Sequence, residues 1–191
     1  MKVTLFNGSP HKGGNTSILL KSVSGRLEAE GIETEHVQLG GVPIHGCSGC
    51  YGCIKNKDQK CVITNDILND CIRKMIESDG IVIGSPTYFA SVSAEVKALI
   101  DRAGFVSRVN GDLLARKVGA AVIAVRRGGA VTAFDTINHF FTIGQMVVVS
   151  SIYWNFAIGR EIGEVNDDAE GMATMETLGD NMAWVLKKLH G

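Results

Sequence analysis

The chain has 191 residues, of which 45% are apolar and 20% are charged, and its formal net charge is −1 at pH 7. These values are typical of a folded globular protein, and they give no electrostatic reason to expect nucleic acid or an anionic membrane as a partner. No apolar run reaches the ~20 residues that span a bilayer, and no cleavable signal pattern opens the sequence. We therefore expect one cytoplasmic domain over residues 1–191.

Apolar strands alternate with amphipathic helices along the chain. The predicted strands are short apolar or alternating runs, at 3–7, 34–39, 80–84, 118–125 and 146–153. The predicted helices carry apolar residues three and four positions apart, at 16–31, after Asp66, and at 93–103, 131–145 and 172–189. Five strands with helical crossovers, the central ones apolar on both faces, predict an α/β doubly wound parallel sheet. Ligands bind such sheets beyond the carboxyl ends of the strands.

The loop after the first strand, residues 8–17, leads directly into a helix. Free backbone amides at a helix start attract a phosphate group. The loop lacks the glycine spacing of a dinucleotide site and the Gly-Lys-Ser/Thr ending of a nucleoside-triphosphate site, so a phosphomonoester fits best. The alternative is a polar turn that caps the helix. The residues expected at the phosphate are Ser9, His11, Asn15, Thr16 and Ser17.

Four cysteines lie on the long loop predicted over residues 40–65. In a reducing compartment clustered cysteines are more typical of metal sites than of disulfides. Three of them are separated by two residues each, which is typical of iron–sulfur ligands, whereas structural zinc more often uses two separate Cys-x-x-Cys pairs. Zinc and a redox-active thiol pair remain alternatives. The predicted ligands are Cys47, Cys50, Cys53 and Cys61, and the fifth cysteine, Cys71, is expected in the core.

The loops after the third and fourth strands, residues 85–91 and 126–130, complete the predicted site. The first of them offers flat aromatic surfaces beside hydrogen-bonding groups, which suits an aromatic ring with a polar edge. The alternative is that these aromatics pack on a neighbouring helix or subunit. The second is rich in glycine and lets the backbone approach a ligand closely. The residues expected at the ring are Pro86, Thr87, Tyr88, Phe89, Ser91, Arg127, Gly128 and Gly129.

Together these loops resemble the NADPH-dependent FMN reductase family of the flavodoxin-like superfamily. The segments Gly8-Ser9-Pro10 and Gly14-Asn15-Thr16-Ser17 match the family's FMN phosphate site. The stretch from Ser85 to Arg102 is similar to the segment that lines the isoalloxazine. In the phosphate loop this chain has His11 where relatives often carry arginine. The resemblance implies an FMN-dependent oxidoreductase with the strand order 2-1-3-4-5.

Within that family, the cysteine loop resembles that of the iron–sulfur flavoproteins, whose four cysteines ligate a 4Fe–4S cluster. This resemblance implies electron transfer between a donor such as ferredoxin and an acceptor, through the cluster and FMN, with no side chain acting as a catalytic acid or base. The alternatives are a cluster-free NAD(P)H-dependent FMN or quinone reductase, and a zinc or thiol redox sensor. Relatives are typically dimers or tetramers, so we expect a homo-oligomer in which a neighbour helps close the FMN pocket.

Overall fold

The computed structural model describes residues 1–191 as a six-stranded parallel sheet with helices on both faces. The strands run in the order β2-β1-β3-β4-β5, so the predicted flavodoxin-like order is confirmed. The sixth strand, β6, pairs with the later part of β4, after the part that pairs with β5. The strands are β1 (Lys2–Asn7), β2 (Glu33–Gln38), β3 (Gly80–Pro86), β4 (Val118–Val125), β5 (Val147–Val148) and β6 (Phe156–Ile158).

Helices cover the two faces of the sheet in two groups. One face is covered by α1 and α6, which pack against each other, and the other by α3, α4 and α5. The helices are α1 (Asn15–Ala29), α2 (Gly52–Asn56), α3 (Leu68–Glu77), α4 (Ala94–Val109), α5 (Ala130–Ile143) and α6 (Ala169–His190). None of them is both long enough and apolar enough to cross a lipid bilayer.

The burial of the strands follows their sequence pattern. Strand β4 is buried at all eight positions, as expected for a continuous apolar run in the middle of a sheet that is covered on both sides. Strand β2 is mostly polar, has no fully buried residue, and lies at the edge next to β1. Because the strands are parallel, their carboxyl ends lie at one edge of the sheet, where the loops predicted to carry the chemistry meet.

The fifth strand differs from the prediction, because it is broken into two short pieces. Val148 pairs with Gly119 of β4, and the next pairing on this side joins Phe156 to Ile123. The chain thus advances eight residues while β4 advances four, and the excess leaves the sheet as a loop over 149–155. The apolar pattern of 146–153 predicts a strand but cannot reveal this excess, because register depends on the partner strand.

Candidate functional site

A cavity of about 400 Å³ opens at the carboxyl edge of the sheet, between the loops after β1, β3, β4 and β6. This volume lies within the range of small-molecule sites. Of the predicted ligand-binding residues, seven line this cavity: Ser9, His11, Asn15, Thr16, Pro86, Thr87 and Tyr88. The structure therefore brings the first two predicted loops together around one space.

The start of α1 presents unpaired backbone amides to this cavity. Gly14 is the residue that precedes the helix, and no side chain caps it. The amides of Asn15, Thr16 and Ser17 donate to no protein group, and the first helical hydrogen bond runs from Ile18 to Gly14 at 3.1 Å. The alternative of a self-capped polar turn is therefore wrong. Three free amides at a helix start are a fitting cradle for a phosphate group.

The side chain of Asn15 turns to a loop that follows β6. It donates to the carbonyl oxygens of Gly159 and Glu161, at 3.2 and 2.9 Å, and accepts from the amide of Gly163 at 2.8 Å. Only its backbone amide remains for a phosphate. This loop, which contributes residues 159–162 to the cavity wall, was missed by the sequence reasoning. Its position at the carboxyl end of the last strand is the signal that could have found it.

The loop after β3 makes a tight reversal at residues 88–91. Tyr88 and Ser91 exchange two backbone hydrogen bonds, of 2.9 and 3.0 Å, and the two residues between them, Phe89 and Ala90, both have positive φ. Such turns favour Asn-Gly, so this one is strained, and strain of this kind is concentrated at functional sites. The Phe89 side chain is fully exposed and does not line the cavity.

Thr87 lines the cavity and carries an unsatisfied hydroxyl. Its backbone amide donates to the carbonyl of Ala124 at 2.9 Å, which fixes the residue against β4. Its Oγ1 atom is buried and has no hydrogen-bond partner in the protein. An orphaned polar atom of this kind needs an explanation. A ligand with a polar edge, such as a flavin ring, would supply the missing partner.

The loop after β4 approaches the same site by its backbone. Gly129 has φ of 87°, and a Cβ atom placed on it would lie 2.9 Å from the Cα of Ala90, so the two loops touch. Arg126 lines the cavity, whereas Arg127 is exposed outside it. The predicted residues that the structure places off the cavity wall are Ser17, Phe89, Ser91, Arg127, Gly128 and Gly129.

A second, much smaller cavity is lined by all four cysteines of the predicted quartet, Cys47, Cys50, Cys53 and Cys61. Cys53 is buried on the short helix α2, Cys61 is half-buried, and the other two are exposed. Hydrogen bonds from Gly52 and Ser48 hold the pKa of Cys50 below its ordinary value, and burial raises that of Cys53.

Arg102, which lines this cysteine cavity, forms a buried ion pair with Asp66. Burial disfavours both charges, but hydrogen bonds and charge attraction together outweigh it. The pKa of Arg102 is raised by Asp66 and Cys61, and the pKa of Asp66 is lowered by Arg102 and by the amides of His45 and Leu68. The resemblance placed Arg102 at the end of the ring-binding segment. The structure places its side chain under the cysteines instead.

The cysteine cavity has the donor chemistry of an iron–sulfur site. Its potential ligands are all thiols, with no carboxylate or imidazole among the lining residues, and soft sulfur ligands suit iron–sulfur clusters and zinc. The thiols are nevertheless not drawn together: no three His, Cys, Asp or Glu side chains of the structure are grouped closely enough to hold a metal ion. The residues fit a cluster by type and by place, and the exposed part of the loop has to close for them to ligate one.

Cys71 lies apart from the quartet, in the core on α3. Its side chain is fully buried, and burial raises its pKa to about 12. The predicted core role of this cysteine is confirmed.

Sequence comparisons agree with this pair of sites. The profile of the NADPH-dependent FMN reductase family matches residues 1–161. An iron–sulfur flavoprotein of Methanocaldococcus jannaschii is 38% identical over 98% of both chains. An iron–sulfur flavoprotein of Methanosarcina thermophila is 30% identical over 98% of this chain and 96% of its own. The chain therefore belongs to the NADPH-dependent FMN reductase family and, within it, to the iron–sulfur flavoprotein branch.

Solved structures show the same fold at low sequence identity. A WrbA-like flavodoxin from Agrobacterium tumefaciens has a TM-score of 0.68 over 98% of this chain and 97% of its own, at 15% identity. A flavodoxin from the domain Archaea has a TM-score of 0.65 over 98% and 99%, at 14% identity. With the family established by sequence, the chain is an FMN-dependent oxidoreductase, and the cavity at the carboxyl edge of the sheet is its candidate flavin site.

Proposed function

We propose that the protein transfers electrons between a donor such as ferredoxin and an acceptor, with FMN in the larger cavity and a 4Fe–4S cluster on the cysteine loop. The observation that carries the proposal is that Cys47, Cys50, Cys53 and Cys61 all line one cavity on an FMN-binding scaffold. When bound, a cluster exchanges single electrons and FMN exchanges one or two, so that the pair can connect one-electron and two-electron partners.

The residues of the larger cavity have distinct tasks in this proposal. The free amides at the start of α1 hold the FMN phosphate, and His11 adds a donor beside them. Thr87 donates to the polar edge of the ring, and Tyr88 covers it. Arg126 places positive charge at the cavity wall, where it stabilises a negatively charged form of the flavin. No side chain acts as a catalytic acid or base, in keeping with chemistry that belongs to the cofactors.

Helix α4 connects the two proposed centres. It begins directly after the 88–91 turn of the flavin site, and Arg102, which lies under the cysteines, belongs to the same helix. The axial distance from Ala94 to Arg102 is about 12 Å at the usual helical rise. Such a short rigid connection within one chain supports electron transfer between a cluster and a flavin. The five free cysteines suit the reducing cytoplasm in which we place the protein.

A homo-oligomer, dimeric or tetrameric, is part of this proposal. Phe89 projects from a strained turn beside the flavin cavity with its whole side chain exposed, and Tyr153 and Trp154 are each half exposed on the loop that leaves the sheet. Exposed aromatic residues are enriched in protein interfaces. Phe140 and Phe141 contribute nothing to such a surface, because both are buried in the core.

Electron donors distinguish the proposal from its alternative. The anaerobically purified protein is mixed with reduced ferredoxin or with NADPH, and the bleaching of the flavin absorbance is followed. We expect Cys50→Ser to abolish rapid reduction by ferredoxin while FMN stays bound, because Cys50 is exposed and lies outside the flavin cavity. Equal ferredoxin rates in the wild type and this variant would contradict the proposal.

The alternative is a cluster-free NAD(P)H-dependent FMN or quinone reductase. The observation that favours it is that the thiols of the structure are not grouped closely enough to hold a metal ion. It predicts rapid bleaching by NADPH in both proteins and no dependence on Cys50.

A further inference from the structure

Arg102 is only 1% exposed, and every N–H group of its guanidinium donates to an acceptor within the protein. Nη1 donates to Asp66 and to the carbonyl of His45, at 2.9 Å from the latter. Nη2 donates to the carbonyl of Ile63 at 3.1 Å. Nη2 also lies 3.4 Å from Asp66 Oδ1, and Nε and Nη2 each donate to the sulfur of Cys61 at 3.3 Å. A buried arginine with this pattern is a fixed point around which the loop is arranged.

The contacts of Arg102 join both ends of the cysteine loop. His45 precedes the first cysteine of the quartet by two residues, and Ile63 follows the last by two. Asp66 strengthens the closure, because it also accepts the amide of His45 at 2.9 Å. One buried ion pair thus brings together two chain segments that a long loop separates, which lowers the entropy that the cysteines lose when they close on a metal centre.

Cys61 is held at its amide, its carbonyl and its sulfur. Its amide donates to Asn69 Oδ1 at 2.8 Å, and its carbonyl accepts from Asn69 Nδ2 at 2.9 Å. Its sulfur receives the two contacts from Arg102 on one side. By contrast, Cys47 and Cys50 are exposed.

We propose that Arg102 is the positioning residue of the cysteine site: it holds Cys61 as the anchoring thiolate of a cluster and donates two N–H groups to its sulfur when the cluster is present. The inference rests on the proposed function, since it requires a cluster on these cysteines. It adds a residue whose role is electrostatic as well as structural. A cation that donates to a ligand sulfur stabilises the more negative, reduced state of a cluster and so raises its reduction potential.

Two effects distinguish this role from simple packing. Without the guanidinium, the potential of the cluster shifts to more negative values. Iron is also lost faster to a chelator, by about 10- to 100-fold, which is the usual cost of removing a residue that orients a metal ligand. A purely structural role predicts only lower stability of the apoprotein.

The test uses anaerobically purified, full-length holoprotein. Arg102→Lys keeps the charge but cannot make the fork of contacts, and Arg102→Gln combined with Asp66→Asn removes both buried charges together, which avoids an unpaired carboxylate. Arg108→Gln, an exposed arginine on the same helix paired with Asp112, is the matched control. Circular dichroism confirms folding, the rate of iron release to a chelator measures retention, and a redox titration followed by EPR gives the potential.

We expect Arg102→Lys to release iron faster than the wild type, and the double variant to add a negative shift of the cluster potential, while Arg108→Gln behaves as the wild type. Folded variants of Arg102 with unchanged release rate and potential would overturn the inference alone. A wild-type protein that contains no iron after anaerobic purification would overturn the proposed function and this inference with it. If the double variant does not fold, the rate of iron release from Arg102→Lys decides the question alone, and a rate equal to that of the wild type would overturn the inference.

Discussion

Asn15 accepts a hydrogen bond from the amide of Gly163 at 2.8 Å, and this contact joins the first residue of α1 to the loop that follows the last strand. The same side chain donates to two carbonyl oxygens of that loop. One residue thus joins the helix start at the proposed phosphate site to a wall of the candidate flavin cavity, and that wall is formed by a distant part of the chain.

Asn15→Ala should weaken FMN binding and lower the free energy of unfolding. Three hydrogen bonds are lost, each contributing about 0.5–1.5 kcal/mol, so a loss of about 1–3 kcal/mol is expected after partial replacement by water. FMN affinity, measured by fluorescence titration of the apoprotein, should fall because the 159–163 loop is released. Asn181→Ala removes one exposed contact to the carbonyl of Ser150 and is the control that should keep wild-type affinity.

Thr87→Val should separate ligand binding from stability. The hydroxyl of Thr87 has no partner in the protein, so its removal should leave the melting temperature of the apoprotein unchanged or slightly higher. FMN affinity should fall by about 3- to 10-fold, which corresponds to one neutral hydrogen bond. Thr132→Val, on the exposed side of α5, should change neither quantity. Undiminished FMN affinity in Thr87→Val would mean that the hydroxyl does not face the flavin.

His36 should make the protein less stable as the pH falls below about 6.5. Burial lowers the pKa of His36, whose Nε2 lies 3.0 Å from the hydroxyl of Ser24. Between the lowered folded pKa and the unfolded value of about 6.5, the unfolded chain binds more protons, so the free energy of unfolding rises with pH in that window.

Urea denaturation of the wild type and His36→Gln at pH 7.5 and 5.5 measures this effect. The variant should lose less stability on acidification than the wild type. The exposed His139→Gln is the matched control and should keep the wild-type pH slope. An equal loss in His36→Gln and the wild type would assign the acid sensitivity to other groups.

Phe89→Asn should reduce the size of the oligomer without unfolding the chain. The phenyl ring makes no core contact, and asparagine tolerates the positive φ of 47° better than phenylalanine. Light scattering after gel filtration should show a smaller species that retains FMN less well. Trp184→Gln, which changes an exposed aromatic residue on α6, should leave the oligomer intact. If only the Trp184 variant dissociated, the interface would lie on α6 and not at Phe89.

The sequence predicts the central sheet well because β3 and β4 are continuous apolar runs that only a doubly covered sheet can bury. It predicts the phosphate cradle for a similar reason, since a strand, a glycine-rich turn and a helix start follow each other directly. These features are local. Each can be read from one stretch of chain.

The features that were missed depend on contacts between distant segments. The 159–163 loop is held at the site by the side chain of Asn15 and by the hydrogen bond from Gly159 to Val125. Arg102 reaches the cysteines because α4 passes beneath their loop. The sequence pattern around Arg102 does not distinguish a buried arginine from one on the surface. Burial of such a residue is explained by Asp66, 36 positions earlier in the chain, and not by its neighbours.

The most direct test of the central proposal is the iron and FMN content of the anaerobically purified protein, measured together with two cysteine variants. We predict about four irons and one FMN per chain in the wild type, loss of iron in Cys50→Ser, and retention of iron in Cys71→Ser, since Cys71 lies in the core away from the quartet. FMN without iron in the wild type, bleached rapidly by NADPH, would contradict the account and identify a cluster-free reductase.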